Sequence, residues 1–357
     1  MRFFILISIF SLSLVAHQYR CSYLNFDFNN TTPALEWEIE TLHLERIFEL
    51  DDNKDGDVKW DELFNHKVKI IEHIQKYFKL KIDNESFDLQ IKDFKLEDYD
   101  DLTYIIIDIP LAQNTKKIDI DYNLFFKEDS IYRCFVQFVD KNSTSINTLF
   151  LGHQQLSIEV KNHKNNLFQS LKEFFIEGIW HIWIGIDHIL FLLMLIIPSV
   201  KNREKFKPVF IEILKIVTAF SLAHSITLTL SALDLVTISS KFIEVTIAIS
   251  VLLTALNNVF EKIKGFYWQI AFGFGLIHGF GFANALGELE LAREFFIYLL
   301  AIFNIGIEFG QLVIVVIVLP ILFMLRKSKI YLIGILKIGS LLTAILATWW
   351  IIERIIG

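Results

Sequence analysis

The first half of the chain alternates apolar and polar residues with a period of two, which is the pattern of half-buried β-strands. The alternating segments are 19–28, 35–41, 87–94, 102–111, 118–126, 131–139 and 155–160. Residues 42–50 and 62–80 have helical periodicity instead, and they flank an acidic loop. The pattern predicts a β-sandwich-like domain over 17–165 with an inserted helical hairpin.

The second half consists of long apolar segments separated by short charged connectors. The segments are 174–198, 209–233, 242–261, 267–287, 295–325 and 331–353. Each is close to or above the roughly 20 apolar residues that a helix needs to cross a bilayer. Residues 171–357 are therefore predicted to form a six-helix α-helical transmembrane bundle, and the chain as a whole has a mixed fold.

The N-terminus carries a shorter apolar run. Residues 3–16 follow Arg2, and this run is too brief to span a bilayer but has the length of a signal-peptide core. Residues 1–16 are predicted to be a secretory signal, which would export the β-rich domain and direct the chain to the cell (inner) membrane.

Composition and charge agree with this division. Hydrophobic residues make up 53% of the chain, too much for a wholly water-soluble protein. Residues 17–170 contain 18 Lys and Arg against 28 Asp and Glu, whereas 171–357 contain 15 against 13. Neither half has the basic surface that nucleic-acid binding requires. The expected partners are the lipid bilayer, a metal ion and an exported or membrane protein.

The charged connectors predict the orientation of the bundle. Nine basic residues fall on one side: Lys201, Arg203, Lys205, Lys207, Lys262, Lys264, Arg326, Lys327 and Lys329. Three fall on the other: Lys241, Arg293 and Arg354. Because cytoplasmic connectors are enriched in Lys and Arg, the first side is predicted to be cytoplasmic. The β-rich domain and the C-terminus are then extracytoplasmic.

Residues 51–62 fit the twelve-residue calcium-binding loop of an EF-hand. The candidate calcium ligands are Asp51, Asn53, Asp55, Asp57 through its carbonyl, and Glu62. Gly56 allows the sharp turn, and Lys59 at the ninth position supplies no oxygen ligand. The loop predicts a weak, structural Ca²⁺ site, and the alternative is a solvated acidic turn.

Polar residues in the apolar segments are the candidates for chemistry, because each is costly in a bilayer and tends to face a partner or a cavity. The candidate transport or metal ligands are His181, Asp187, His188, His224 and His278. The supporting polar residues are Glu244, Asn304, Glu308 and Gln311. On one helix, His181 and His188 would share a face, two turns apart. Imidazole with carboxylate suits nickel, cobalt, zinc or iron.

The two cysteines and a set of six glycines each allow two structural interpretations. Cys21 and Cys134 both fall in the predicted exported domain, where they form either a disulfide or two buried thiols. The six glycines near His181 and His278 allow close helix contacts, and those around His278 also allow a locally bent helix. They are Gly178, Gly185, Gly273, Gly275, Gly279 and Gly281.

Five ordered motifs of the second half resemble the hydrogenase/urease accessory family HupE/UreJ, in its longer form with an exported N-terminal domain. They are GIWHIWIGIDHILF at 178–191, AFSLAHSIT at 219–227, EVTIAIS at 244–250, FGLIHGFGFA at 274–283 and FNIGIEFGQ at 303–311. The resemblance implies an integral membrane protein associated with nickel-enzyme maturation, since some members are nickel permeases.

Within the resemblance, His181, Asp187 and His188 match the metal-entry signature H-x-x-x-x-x-D-H of those permeases. The chain departs from the short permease-like members at Phe282, where they have a second histidine.

Three functions are consistent with these residues. The first is a permease for a divalent transition cation such as Ni²⁺, with no catalysis and with Glu244 and Glu308 compensating charge. The second is an intramembrane zinc hydrolase, in which histidines hold Zn²⁺ and an acid such as Asp187 or Glu308 activates water. The third is a non-transporting scaffold that docks a partner through its exported domain. The resemblance favours transport.

Overall fold

The fold is taken from a computed structural model. It describes residues 21–29, 32–54, 58–89, 91, 94–99, 102–140, 143–160, 167–233, 235–236, 238–263, 265, 267–282 and 293–356. The predicted signal sequence and the loop residues Asp55, Gly56 and Asp57 lie outside these ranges.

The N-terminal region is β-rich and has two sheets. Its strands are β1 (Cys21–Asp27), β2 (Ala34–Glu40), β3 (Phe78–Ile82), β4 (Glu85–Phe87), β5 (Lys95–Tyr99), β6 (Leu102–Pro110), β7 (Lys117–Tyr122), β8 (Arg133–Asp140), β9 (Ser143–Leu149) and β10 (Gln155–Glu159). One sheet has the order β5-β6-β2-β1-β8-β9 and the other β10-β7-β3-β4. All pairings are antiparallel except β1 with β8.

One hydrophobic core lies between the two sheets. It includes Trp37 of β2, Phe138 of β8, and Phe78 and Tyr122 of β3 and β7. Two helices, α1 (Thr41–Phe48) and α2 (Trp60–Tyr77), form the inserted hairpin. Apolar residues of both, such as Leu44 and Ile70, belong to the same core.

Three predicted boundaries in this region are wrong. The strand predicted at 118–126 ends at Tyr122. The helix predicted to reach residue 80 ends at Tyr77, because Phe78 and Leu80 point alternately into the core as part of β3. Most of the strand predicted at 87–94 is irregular. Leu89 and Phe94 are buried there and imitate strand alternation, while the side chain of Gln75 donates a hydrogen bond to the Leu89 carbonyl.

Cys21 and Cys134 are buried thiols and not a disulfide. In the parallel pairing of β1 with β8, Cys134 is opposite Ser22. Burial raises the pKa of the Cys134 thiol to about 12, so this thiol stays protonated at neutral pH.

The C-terminal region is helical. Its helices are α3 (Leu167–Ile184), α4 (Ile186–Val200), α5 (Phe206–Ala232), α6 (Ser240–Phe260), α7 (Tyr267–His278), a 3₁₀ turn (Gly279–Phe282), α8 (Arg293–Leu325), a π-helix (Ile330–Gly339) and α9 (Ser340–Ile356). Among the described residues, four helices are long and apolar enough to cross a membrane. The number of candidate spans rises to five if the bent pair α3 and α4 is counted as one span.

The expected sixth span is only partly described. The apolar segment predicted at 267–287 begins as α7, but this helix ends at His278 and continues as the 3₁₀ turn. Residues 283–292 lie outside the described ranges. The described structure therefore accounts for a multi-helix membrane region without accounting for six full spans.

The six-stranded sheet packs its second face on the helices. Tyr23, Tyr104 and Phe135 of this sheet belong to one buried cluster with Phe174 of α3 and Leu300 of α8. A buried ion pair adds to the contact, with Nε of Arg133 3.1 Å from Oε1 of Glu177. The sheet thus lies against the end of the helical region at which α3 and α8 begin.

Candidate metal centre

A break between α3 and α4 brings two histidines together. The two helices are bent by 72°, and Gly185 lies between them with φ −68° and ψ 92°. The expectation of one continuous helix through His181 and His188 is therefore wrong. Their ring centroids are nevertheless only 4.8 Å apart, because the chain bends at Gly185. The apolar pattern runs through the break and gave no sign of it.

His224 of α5 completes a three-histidine cluster. One nitrogen of each ring of His181, His188 and His224 can be chosen so that all three lie within 4.8 Å of one another. The three residues are 2%, 4% and 0% exposed. A single ion could therefore contact all three imidazoles after small side-chain adjustments, in a region closed to bulk water.

His278, at the end of α7, lies beside this cluster. Its ring centroid is 4.9 Å from that of His188. Its Nε2 is 3.0 Å from Oγ of Ser250, and the Ser250 hydroxyl donates to the Ile247 carbonyl, so Nε2–H is the donor to Ser250. The buried Nδ1 of His278 has no hydrogen-bond partner within the described ranges. His278 is thus a neighbour of the three-histidine cluster and not one of its three members.

Asp187 orients His188. Its Oδ1 accepts hydrogen bonds from Nδ1 of His188 at 2.9 Å and from the backbone N–H of the same residue at 2.8 Å. A carboxylate on one ring nitrogen fixes the tautomer and makes the other nitrogen a better metal ligand. Asp187 therefore supports a ligand and is not itself among the three clustered groups.

Asn304 has the same role for His224. Its Oδ1 is 3.3 Å from Nδ1 of His224, and its Nδ2 donates to the Leu300 carbonyl, which fixes the orientation of the amide. Nδ1 of His224 is then the donor, and its Nε2 keeps a lone pair. This buried Nε2 has no hydrogen-bond partner in the part of the chain that the structure describes, which fits a position for an ion.

The other supporting residues of α8 face α5. Oγ of Ser221 donates to Gln311 at 3.0 Å, and Oγ1 of Thr218 donates to Glu308 at 2.7 Å. With the pair His224 and Asn304, these contacts form a polar seam along two antiparallel helices. Ser221 and Thr218 were not selected from the sequence, because hydroxyl residues are common in apolar helices.

Glu244 lies beside a residue that sequence reasoning assigned only to a connector. Arg354 of α9 is 7% exposed. Its Nη2 is 3.7 Å from Oδ2 of Asp187, and its Nε is 3.6 Å from Oε2 of Glu244. Counting Arg354 as a loop charge concealed this position, although Arg354 directly follows the apolar segment 331–353 and is itself followed by two isoleucines.

Several glycines keep the site helices in close contact. A Cβ on Gly178 would meet the Phe303 carbonyl of α8, and one on Gly306 would meet the Phe175 carbonyl of α3. A Cβ on Gly275 or Gly279 of the α7 end would likewise meet the backbone of α5. These positions are close helix contacts. Gly185 differs from the expected close contact, because the chain bends there between α3 and α4.

The described part of the acidic loop has a compact arrangement around Glu62. This carboxylate is buried and accepts backbone hydrogen bonds from Asn53 at 3.1 Å and Lys59 at 3.0 Å. Asp51 donates its backbone N–H to Glu45 at 2.8 Å. Asp55 and Asp57, the remaining predicted ligands, lie outside the described residues.

A buried set of imidazoles, one backed by the Asp187 carboxylate and one by the Asn304 amide, suits a borderline divalent cation such as Ni²⁺, Co²⁺ or Zn²⁺. A family model described as HupE / UreJ protein matches residues 157–354, more than half of the chain. The matched segment contains every histidine of the site. A comparison with curated proteins found no match.

Proposed function

This chain belongs to the HupE / UreJ family, and on that premise we propose that it is a permease for a divalent transition-metal cation, with nickel as the leading candidate. One observation carries the proposal: His181, His188 and His224 offer ring nitrogens within 4.8 Å of one another, buried among apolar helices. Such a cluster is costly in a membrane protein unless it has a ligand or a path to serve.

The polar seam between α5 and α8 favours transport of the ion rather than its retention at one site. It begins at His224 and continues through the pairs Ser221 with Gln311 and Thr218 with Glu308. A permeating ion needs several weak sites in place of one tight cage. Along α5, these pairs offer oxygen atoms, including one carboxylate, at successive positions away from the three-histidine cluster, and the last of them, Thr218, is exposed at the helix surface.

The position of Asp187 favours transport over hydrolysis. A zinc hydrolase needs a free acid or base near the metal-bound water, but Asp187 is committed to His188 on one oxygen and lies near Arg354 on the other. Glu308 is bonded to Thr218. An accessory role in metalloenzyme maturation is compatible with transport, because a maturation system needs a supply of its metal.

The proposed orientation places the β-rich domain and the C-terminus outside the cytoplasm, in a multi-pass protein of the cell (inner) membrane. The orientation depends on grouping the basic connectors on one side of the membrane, and two contacts support that grouping. Lys201 forms an ion pair with Glu261, and Arg326 donates a hydrogen bond to the Arg203 carbonyl. Three of the basic connectors therefore meet at one end of the helices, opposite the end that carries the sheet.

Uptake of Ni²⁺, Co²⁺ and Zn²⁺ by cells that express the full chain tests the proposal. We expect uptake above that of cells without the protein, and its loss in His224→Ala. The matched control is His153→Ala, an exposed histidine of the β-rich region, which should transport normally. All variants are compared at equal abundance in the membrane.

The alternatives give other outcomes. A hydrolase would produce no uptake and would keep about one zinc ion per chain through purification, with loss of that ion in His224→Ala. A scaffold would produce neither uptake nor a retained ion. Either result would contradict the permease proposal. The partner of a scaffold would have to bind elsewhere on the β-rich domain, because one face of the six-stranded sheet is covered by α3 and α8.

We further propose that residues 51–62 bind Ca²⁺ as a structural ion. The EF-hand spacing of the loop supports this, together with the buried Glu62 carboxylate at its last position. The ion would fasten α1 and α2 to the core of the β-rich domain. Calcium would then be a cofactor and not the transported ion.

A further inference from the structure

Arg354 is a buried cation next to a site proposed to receive another cation. It comes from the last turn of α9, far along the chain from the histidines. Its guanidinium lies near the carboxylates of Asp187 and Glu244, at 3.7 and 3.6 Å, and its Nη1 donates to the Glu244 carbonyl. Arginine cannot lose its proton in a protein, so this charge is permanent.

Asp187 connects this arginine to the histidine cluster. One of its oxygens is 2.9 Å from Nδ1 of His188 and the other is 3.7 Å from Arg354. The side chains of Asp187 and Arg354 are each only 4% exposed. Their charges are therefore poorly screened by water, and each is felt strongly at the neighbouring imidazole.

Resting on the proposed function, we propose that Arg354 is an internal counter-cation that keeps the three-histidine site from retaining its divalent ion. With neutral imidazoles, two carboxylates and one guanidinium give the empty site a net charge of about −1. A divalent ion brings it to about +1, whereas without Arg354 the loaded site would be neutral and the empty site would carry two uncompensated carboxylates.

Release of the ion is the step that gains from this arrangement. A neutral loaded site in a low-dielectric region would hold the cation firmly, and a firmly held cation is not transported. Arg354 raises the free energy of the loaded state and lowers that of the empty state. Asp187 can then orient His188 without becoming a strong cation trap.

A purely structural role for Arg354 predicts something different. If the guanidinium only holds α9 against α4 and α6, its loss would loosen the site and weaken ion binding. The counter-cation role predicts the opposite sign, namely tighter binding. The two roles are separated by the direction of the change in affinity and not by its size.

The experiment measures Ni²⁺ affinity of the purified full-length protein in detergent, by competition with a coloured chelator. We expect Arg354→Gln to bind Ni²⁺ about tenfold tighter than the wild type, because a like charge is removed from a poorly screened region. Arg354→Lys, which keeps the charge, should restore affinity to near the wild-type value. Arg203→Gln is the matched control, because Arg203 pairs with Glu212 at the opposite end.

Transport of Ni²⁺ by the same proteins in liposomes is the second measurement. Arg354→Gln should reach half-saturation at lower Ni²⁺ and have a lower maximal rate, since binding is tighter and release slower. Unchanged or weaker affinity in a folded Arg354→Gln protein would overturn the inference, as would equal tightening in Arg354→Lys. The permease proposal would survive both results.

A further variant keeps the inference testable if Arg354→Gln does not fold. Glu244→Gln removes a negative charge from the same group and should weaken Ni²⁺ binding severalfold, so an unchanged affinity would overturn the inference. Failure of the proposed function has another signature: the wild type would transport no Ni²⁺ into liposomes, or would bind Ni²⁺ no more tightly than His224→Ala, and the inference about Arg354 would fall with it.

Discussion

Gly185 determines where the imidazole of His188 lies. A Cβ at this position would be 2.7 Å from Nδ1 of His188 and 2.9 Å from the His181 carbonyl oxygen. The backbone has φ −68°, which alanine readily adopts, so the obstacle is steric. We expect Gly185→Ala to move His188 and to lower Ni²⁺ uptake about 10- to 100-fold, the effect of losing support for a metal-binding histidine.

Gly273→Ala is the control for this substitution. Gly273 lies in α7, and a Cβ there would meet nothing within 4 Å. Alanine is a better helix former than glycine, so this variant should accumulate and transport like the wild type. Normal uptake by Gly185→Ala at equal abundance would mean that the position of His188 is unimportant for transport.

At the scale of single residues, the sequence pointed to the histidines and to two of their hydrogen-bond partners, Asp187 and Asn304, but not to Arg354 or Ser250. His181, His224 and His278 stand out because a polar side chain in an apolar helix is expensive and therefore conspicuous. Arg354 and Ser250 do not stand out, since one resembles a connector charge and the other a residue that helices tolerate. Their contacts with the site depend on which helices pack together, and a single sequence does not contain that information in readable form.

At the scale of elements, periodicity predicted the helices α1 and α2 to within a few residues, but not the break between α3 and α4. Hydropathy averages over many residues, and a bend at one glycine leaves that average unchanged. Strands β3, β5 and β9 were missed for a related reason. β3 and β5 have five residues each, and so few alternating residues fit the end of a helix or a turn equally well. β9 has seven, but most of them are Ser, Thr or Asn, so its apolar alternation is weak.

The acidic loop between α1 and α2 gives a prediction for one element. If the loop binds Ca²⁺, the ion should raise the thermal unfolding temperature of the full-length protein in detergent, because a ligand that binds only the folded state stabilises it. Glu62→Gln should abolish most of this increase, since Glu62 is the expected bidentate ligand. The measurement is unfolding with Ca²⁺ and with a chelator.

Glu72→Gln provides the comparison for the calcium prediction. Glu72 is an exposed residue of the same helix α2 and lies outside the loop, so this variant should respond to Ca²⁺ like the wild type. If the wild type gains no stability from the ion, or Glu62→Gln gains as much as the wild type, the loop is a solvated acidic turn.

At the scale of the whole molecule, the pattern of apolar and polar residues predicted a β-rich region followed by a membrane region, but not how they meet. The strands of the six-stranded sheet carry a hint. β8 reads RCFVQFVD, and its first six residues are buried. Nearly continuous burial indicates a sheet that is covered on both faces. One face is covered by the second sheet, and the other by α3 and α8.

The ion pair of Arg133 with Glu177 connects that interface to the candidate site, because Glu177 lies one helical turn before His181. Both side chains are 6% exposed. Removing one partner of a buried pair leaves an uncompensated charge, so we expect Arg133→Met to lower the free energy of unfolding by about 3–5 kcal/mol. The double variant Arg133→Met with Glu177→Met should recover most of the loss. Denaturation of the full chain in detergent measures both.

An exposed pair in the same sheet is the control. Lys95 and Asp108 lie 2.8 Å apart but are 67% and 48% exposed, so water and salt screen their attraction. Lys95→Met should leave stability unchanged. If Arg133→Met were equally harmless, the buried pair would not hold the sheet to α3. If the double variant recovers stability but transports less Ni²⁺ than the wild type, the β-rich region contributes to the position of His181 as well as to folding.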